Sequence, residues 1–303
     1  MHEFVAQLVN GISLGGIYAL VAIGYTMVYG IVELINFAHG DVYTLGSFFA
    51  LAVFGALGVS GELHGAALAF DAGLALLVAA VCCGLIGMLL ERVAYRRLRN
   101  APRLAPLITA IGFSFILENA MQAWKGSAPL PFPAVFPNPT LHAGLVDVNA
   151  QQAFVVALAI VAMFALQLFV ARTRTGRAMR AVAQDRQAAS LMGINVDRTI
   201  AVTFLIAGLL AGTAGFVSGV YYQSTWFLNG FSAGLKAFTA AVLGGIGNLA
   251  GAMLGGFLIG IIESFATWKI GGQWSNVTVF AILILALIFR PSGLLGEAVP
   301  EKV

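Results

Sequence analysis

Three side chains able to handle protons or ions, Asn36, His39 and Asp41, fall within six residues of one another in a chain that is 60% hydrophobic and 10% charged. An ionisable group held in hydrocarbon is costly, so it marks a transport path, a relay or a gate unless a partner neutralises it. Glu118, with Asn119 beside it, Asn248 and Glu263 are isolated polar positions of the same kind. Two readings stand for Asn36 to Asp41: a gate or broken-helix site, or a turn at the inner surface in which Asp41 caps a helix starting at Val42. Glu118 and Glu263 are read first as carboxylates that lock helices together, because paired buried charges need not touch substrate. A pathway contact is the second reading for both.

Other chemistries lack their residues. His2, His39, His64 and His142 are scattered without metal-binding spacing. Cys82 and Cys83 are adjacent inside an apolar run, where small packing residues are expected instead of a disulfide or metal site. No phosphate-binding G-x-x-x-x-G-K-[ST] loop occurs. The chain is therefore expected to be no enzyme and to hold no cofactor, so any nucleotide hydrolysis must come from another chain.

The elements that position these residues are membrane helices. About 20 apolar residues cross the hydrocarbon core, and such stretches lie near residues 4–29, 42–59, 66–90, 104–124, 150–171, 199–222, 249–268 and 275–290. The fold expected is all-α: one polytopic helix bundle over residues 1–303. Met1-His2-Glu3 supplies no basic residue ahead of the first run, which is too long for a cleavable signal and stays as a helix.

All twelve arginines fall in three places: five between Arg92 and Arg103, six between Arg172 and Arg198, and Arg290. Excess Lys and Arg marks cytoplasmic loops, which puts the loop 172–198 inside and the proline-bearing loop 125–149 outside. The other loops carry isolated lysines, Lys125, Lys236 and Lys269. These arginines flank spans instead of forming a basic face on a soluble domain, so nucleic acid is not an expected partner; membrane lipid is.

Loops on one side must be separated by an even number of crossings. Three full spans between Arg198 and Arg290 break that parity, so the run Gly234 to Thr267 must hold one more crossing, broken at Gly244-Gly245-Ile246-Gly247-Asn248. A half-helix from Leu235 to Gly245 is about 17 Å long, too short to cross unless protein or water surrounds its open end. Eight full spans plus this half-helix give an odd count, with the amino terminus outside if residues 30–41 do not cross. Gly247, Gly251 and Gly255, and Gly256 and Gly260, recur every four residues and predict close helix packing. The echo of Gly15-Gly16-Ile17 in Gly244-Gly245-Ile246 is too short to establish an internal repeat.

From Arg177 to Gly193 the periodicity places Ala178, Ala181, Val182, Ala189 and Met192 on one side and Arg177, Arg180, Gln184 and Gln187 opposite. Asp185 violates the pattern and is read as a break, capping a second short helix from Arg186 to Met192 that Gly193 ends. Two short helices below the membrane result. The competing reading is a solvated loop lying on lipid headgroups.

Gln187-Ala188-Ala189-Ser190-Leu191-Met192-Gly193 resembles the Glu-Ala-Ala-x-x-x-Gly core that ABC-importer permeases present to their ATPase subunits, with Gln187 in place of the acidic residue. Together with Glu33-Leu34-Ile35-Asn36-Phe37-Ala38-His39-Gly40-Asp41, the stretch Arg177 to Asp185, Met192 to Asp197 and the ending Arg290 to Gly296, it makes the whole chain similar to branched-chain amino acid importer permeases of the LivH type. That resemblance implies a bacterial inner-membrane subunit forming half of a pore. It implies a second permease of the LivM type, two cytoplasmic ATPases holding ATP and Mg, and a periplasmic amino-acid-binding protein. Arg177, Arg180, Asp185, Ala188, Ala189 and Gly193 would then couple to the ATPases. Within such a family, urea, short amides or other amino acids are alternative cargoes. From another class, an ion-coupled secondary transporter would use Asp41, Glu118 or Glu263 as ion ligands and would not need the cytoplasmic loop.

Overall fold

The computed structural model describes residues 2–296 apart from 60–64, 100, 103, 137–139, 144–145 and 291; Arg103, Pro291 and Glu297 onward thus lie outside the described residues. The helices are His2–Val32 (α1), His39–Ala56 (α2), Gly65–Leu90 (α3), Leu104–Lys125 (α4), Ala150–Arg172 (α5), Arg174–Gln184 (α6), Arg186–Leu191 (α7), Val196–Tyr222 (α8), Asn229–Gly244 (α9), Leu249–Lys269 (α10) and Ser275–Phe289 (α11). A π-helical stretch at Glu91–Tyr95 carries α3 on into Arg96–Leu98. Seven helices among the described residues are long and apolar enough to cross a membrane. The last of the seven counts the turn Gly272–Trp274 with α11; α2 and α9, with 18 and 16 residues, are not among them.

Glycine sets how closely these helices pack. α1 lies antiparallel to α10, with Gly15 against Phe257 and Gly256 against Ala19; α3 lies antiparallel to α8, with Gly87 against Phe204 and Gly208 against Cys83. Any Cβ there would meet partner backbone, so the four-residue glycine spacing does serve packing. Gly251 lies against Gly244, Gly255 against Ala240 and Gly260 against Gly15. Gly247 is the exception: it sits in the α9–α10 turn with φ +96° and nothing near the place of its Cβ.

The described arginine sites gather at one end of the bundle. Arg186 donates to the carbonyls of Ile31 and Val32 at the end of α1. Arg96 and Arg99, beyond α3, pair with Asp197 at the start of α8. The backbone after Arg290 joins the end of α9, where Leu294 and Leu295 donate to Leu243 and Gly244. By the positive-inside rule this end is cytoplasmic, and the amino terminus lies at the other.

The passages differ in one respect from the expected eight full spans and a half-helix. Both α2 and α9 begin inside the bundle, each reached by a six-residue linking segment. The α9 helix starts at Asn229, not Leu235, so Lys236 belongs to a helix, 7% exposed, and not to a loop. Gly230, Ser232, Gly234 and Lys236 dilute the hydropathy of this stretch, but its two glycines pack on Gly40 of α2, and that tertiary contact overrides the local signal.

An internal repeat is present, though not between the glycine triplets of the sequence. α1–α2–α3 and α8–α9–α10 share one plan in opposite directions across the bundle. Each long helix ends at a non-glycine residue in left-handed conformation, Glu33 (φ 57°) and Gln223 (φ 50°). Equivalent backbone turns follow, His39 N–H to the Asn36 carbonyl and Asn229 N–H to the Trp226 carbonyl, each 3.1 Å. Each short helix then carries glycine at its second residue, and these two glycines, Gly40 and Gly230, touch. Equivalent residues in mutual contact lie on the two-fold axis of an inverted repeat. The residue types are too diverged for sequence to show it: only Phe37 with Phe227 and Gly40 with Gly230 match across the linker.

The only strands among the described residues are short: Leu130–Pro131 (β1) pairs antiparallel with Ser224–Thr225 (β4), and Thr140–Ala143 (β2) with Val146–Asn149 (β3). The first pair ties the outer loop to the segment that enters α9.

A Cβ on Gly40 would strike the Gly230 carbonyl, whereas Gly55 of the same helix has open space around it. Gly40→Val is expected to destabilise the purified protein by about 1–3 kcal/mol through overpacking, read as a lower thermal midpoint in detergent. Gly55→Val should leave the midpoint unchanged.

Candidate functional site

Where α2 and α9 meet, the chain buries three of the candidate polar residues. Asn36 lies in the linker and accepts from the Tyr95 hydroxyl at 3.2 Å. His39 opens α2, fills the space above Gly24 and meets the Tyr25 ring edge-on at 4.7 Å; its Nε2 has no partner among the described residues. Of the two readings of Asn36 to Asp41, the cap at Asp41 is not the one found: α2 begins at His39 after Ala38, which makes no side-chain cap. The Asp41 carboxylate instead accepts from Ser114 of α4 with one oxygen, while Oδ1 lies beside Gly230 without a partner among the described residues. Glu118 is buried one helical turn beyond Ser114 on α4, on the same face. Asn119 is exposed and only returns a bond to the Phe115 carbonyl.

Glu263 belongs to a second cluster. Lys236 pairs with its Oε1 at 2.5 Å, Ser275 donates to Oε1 at 3.1 Å, and the Tyr18 hydroxyl donates to Oε2 at 2.8 Å. Four helices, α1, α9, α10 and α11, therefore converge on one carboxylate. The pair borders a cavity of about 280 Å³ walled by Tyr18, Tyr43, Tyr222 and Trp226. Asn248 serves the fold, since its side chain accepts from Gly251 N–H to cap α10 and donates to the Leu295 carbonyl.

The cytoplasmic loop folds into the two short helices read from its sequence. Thr173 caps α6 by accepting from Gly176 N–H, and Asp185 caps α7 by accepting from Gln187 and Ala188 N–H at 2.8 and 3.0 Å. Gly193 ends the unit at φ +81°. Val182 and Ala189 are buried as the periodicity requires, and Arg177 and Arg180 are exposed. Arg180 also donates to the Val170 carbonyl at the end of α5. Met192 departs from the expected face at 83% exposure, next to Leu191 at 89%. The break at Asp185 resets the helical phase, and α7 ends at Leu191, so nothing turns Met192 back toward the bundle.

Several contributors escape a reading of the sequence. Ser114 sits in an unremarkable apolar run and Tyr95 among the arginines that follow α3, and only the fold brings them to Asp41 and Asn36. Lys236 did carry a signal, as the one basic residue in a 34-residue apolar run. Arg186 belongs to the loop that the pattern singles out, yet periodicity gives no hint that it reaches the end of α1.

Removing the Asp185 cap is expected to cost α7 about 1 kcal/mol. Hydrogen–deuterium exchange over residues 187–192 of Asp185→Ala should accelerate about fivefold, since 1.4 kcal/mol is a factor of ten, with exchange in α3 and α8 unchanged.

Residues 7–287 match the family described as branched-chain amino acid transport system / permease component. The chain is 44% identical to the high-affinity branched-chain amino acid transport system permease protein BraD of Pseudomonas aeruginosa, over 100% of this chain and 99% of that one. It is also 44% identical to the corresponding permease protein LivH of Escherichia coli K12, over 99% and 98%. Among solved structures, PsaBC from Streptococcus pneumoniae in complex with Fab aligns at a TM-score of 0.45 and 13% identity, covering 94% of this chain and 91% of that one, too distant to bear on the site.

Proposed function

We propose that this chain, which belongs to the branched-chain amino acid transport system permease family, forms one half of the translocation pathway of an ATP-driven importer for branched-chain amino acids in a bacterial inner membrane. The partners are a second permease of the LivM type, two cytoplasmic ATPases that bind ATP and Mg, and a periplasmic binding protein. The observation that carries the coupling role is the pair Leu191 and Met192, 89% and 83% exposed at the tip of a short cytoplasmic helix. Apolar side chains held so far into water on a capped, ordered helix suit a protein socket. Their helix is tied to the bundle by Arg186 on the α1 carbonyls, so a push on α7 reaches α1 and, through Glu33, the linker to α2.

One observation favours a second reading, ion-coupled transport in a single chain: Asp41 and His39, buried where α2 meets α9, are the kind of intramembrane groups that serve proton or sodium relays.

Both readings are separated by Leu191→Asp combined with Met192→Asp. Neither side chain packs inside the subunit, so insertion and thermal midpoint should not change. Losing two interface anchors is expected to weaken ATPase capture about thirtyfold, for roughly 2 kcal/mol at a hot spot, and to abolish ATP-dependent uptake of labelled leucine into proteoliposomes. Uptake that persists in this variant, or that runs on a proton or sodium gradient without ATP, would overturn the importer reading.

A further inference from the structure

We infer that the cavity beside α9 is a low-affinity site for the zwitterionic head of the transported amino acid, its carboxylate taken by Lys236 and its ammonium by Glu263. This rests on the reading of the chain as an amino-acid permease and adds to it a place and a chemistry.

The cavity lies on the outer side of the crossing point. Its rim includes Trp226, whose indole donates to the Ser127 carbonyl in the outer loop at 2.8 Å. At its inner limit are the two charges, with side chains 9% and 12% exposed. A charge pair that does no more than hold helices together is replaceable by well-packed apolar side chains at no loss of stability. This one reaches a cavity and is unequally used. Among the described residues Glu263 accepts from Lys236, Tyr18 and Ser275, three of about four places on a carboxylate. The Lys236 ammonium has three donors, and one goes to Glu263; its other neighbour is the Tyr18 ring, 5.9 Å to the centroid. Donors therefore remain for an incoming carboxylate, and one lone-pair position for an ammonium.

Net charge selects the ligand class. The pair is neutral, so a zwitterion leaves the site neutral, whereas a free anion or cation would add an uncompensated charge at low dielectric. The tyrosine and tryptophan walls offer apolar surface to a branched side chain and hydroxyl or indole edges to its polar end. The volume, about 280 Å³, is at the small end of ligand cavities. Occupancy there must be weak enough to release the cargo inward, as the charges already satisfy each other in its absence.

The test uses the reconstituted four-subunit complex with Cys82→Ala, Cys83→Ala and Ser224→Cys, which places one thiol at the exposed cavity mouth. Labelling by an impermeant thiol reagent is timed with L-leucine, with isoamylamine, which lacks the carboxylate, and with 4-methylpentanoate, which lacks the ammonium; uptake is measured in the same liposomes after adding the periplasmic binding protein and ATP. Leucine is expected to slow labelling about threefold at twice its dissociation constant, by the factor 1 + [L]/Kd. The two analogues should not slow it, and Lys236→Met with Glu263→Gln, which keeps the packing and removes both charges, should abolish the protection while Lys236→Arg retains it. ATP-driven leucine uptake without protection overturns this site and leaves the permease reading intact. Protection without uptake sustains the site and overturns the importer reading. Equal protection by the analogues, or protection that survives in the uncharged double variant, overturns zwitterion recognition.

Discussion

The contact between Gly40 and Gly230 is the constraint from which the rest of the arrangement follows. Two helices begin inside the bundle and pass side by side at their first turns, Gly40 against Gly230 and Gly234, until backbone meets backbone. Neither has a side-chain cap at that end. In a low-dielectric bundle the first amides must find protein groups, and the linkers supply them: His39 and Asp41 N–H donate to the carbonyls of Asn36 and Ala38, and Asn229 N–H to that of Trp226. Around the junction the buried polar side chains pair with one another, Asp41 with Ser114 and Asn36 with Tyr95. A side chain at either glycine would part the helices and expose what those groups now enclose.

The same junction explains how a cytoplasmic event can reach the centre of the molecule. Arg186 of α7 binds the last carbonyls of α1, where α1 gives way to Glu33 in a left-handed conformation. A strained residue at such a joint is a natural place for a small rotation. Six residues on, the chain enters α2 at His39. The arginines beyond α3 clamp Asp197 at the start of α8, so both long helices that precede the two short ones are held by arginines at the cytoplasmic end.

Much of this was legible in the residues. Apolar runs of twenty and three arginine sites fixed a polytopic bundle and its orientation, and Asp185 and Gly193 fixed the two short helices of the loop 172–198, because these signals are local. The shortened helices were harder. Hydropathy saw one at residues 42–59 and misplaced the start of the other, since Gly230 and Gly234 weaken the local signal and matter only through their contact with Gly40. The inverted repeat was invisible for the related reason that backbone geometry is retained where side chains have diverged. Buried polar side chains were found as candidates, but whether each caps a helix, as Asn248 does, or faces a cavity, as Glu263 does, depends on partners distant in sequence.

The divergence within the repeat is itself informative about function. Lys236 is the eighth residue of α9, and the eighth residue of α2 is Gly46, which packs on Gly212. One half of the repeat spends this position on close approach between helices, whereas the other places a cation there against Glu263 and a cavity. A duplicated backbone thus provides two crossing helices and a junction, while the Lys236–Glu263 pair is confined to the half whose short helix runs inward from the junction and borders the outer cavity. Were the pair needed only to hold a short helix in place, α2 would need an equivalent. It is held by Gly40, Gly46 and the Ser114 bond to Asp41 instead. The asymmetry leaves Lys236 and Glu263 as a buried pair that opens on the outer cavity and has no counterpart in the other half.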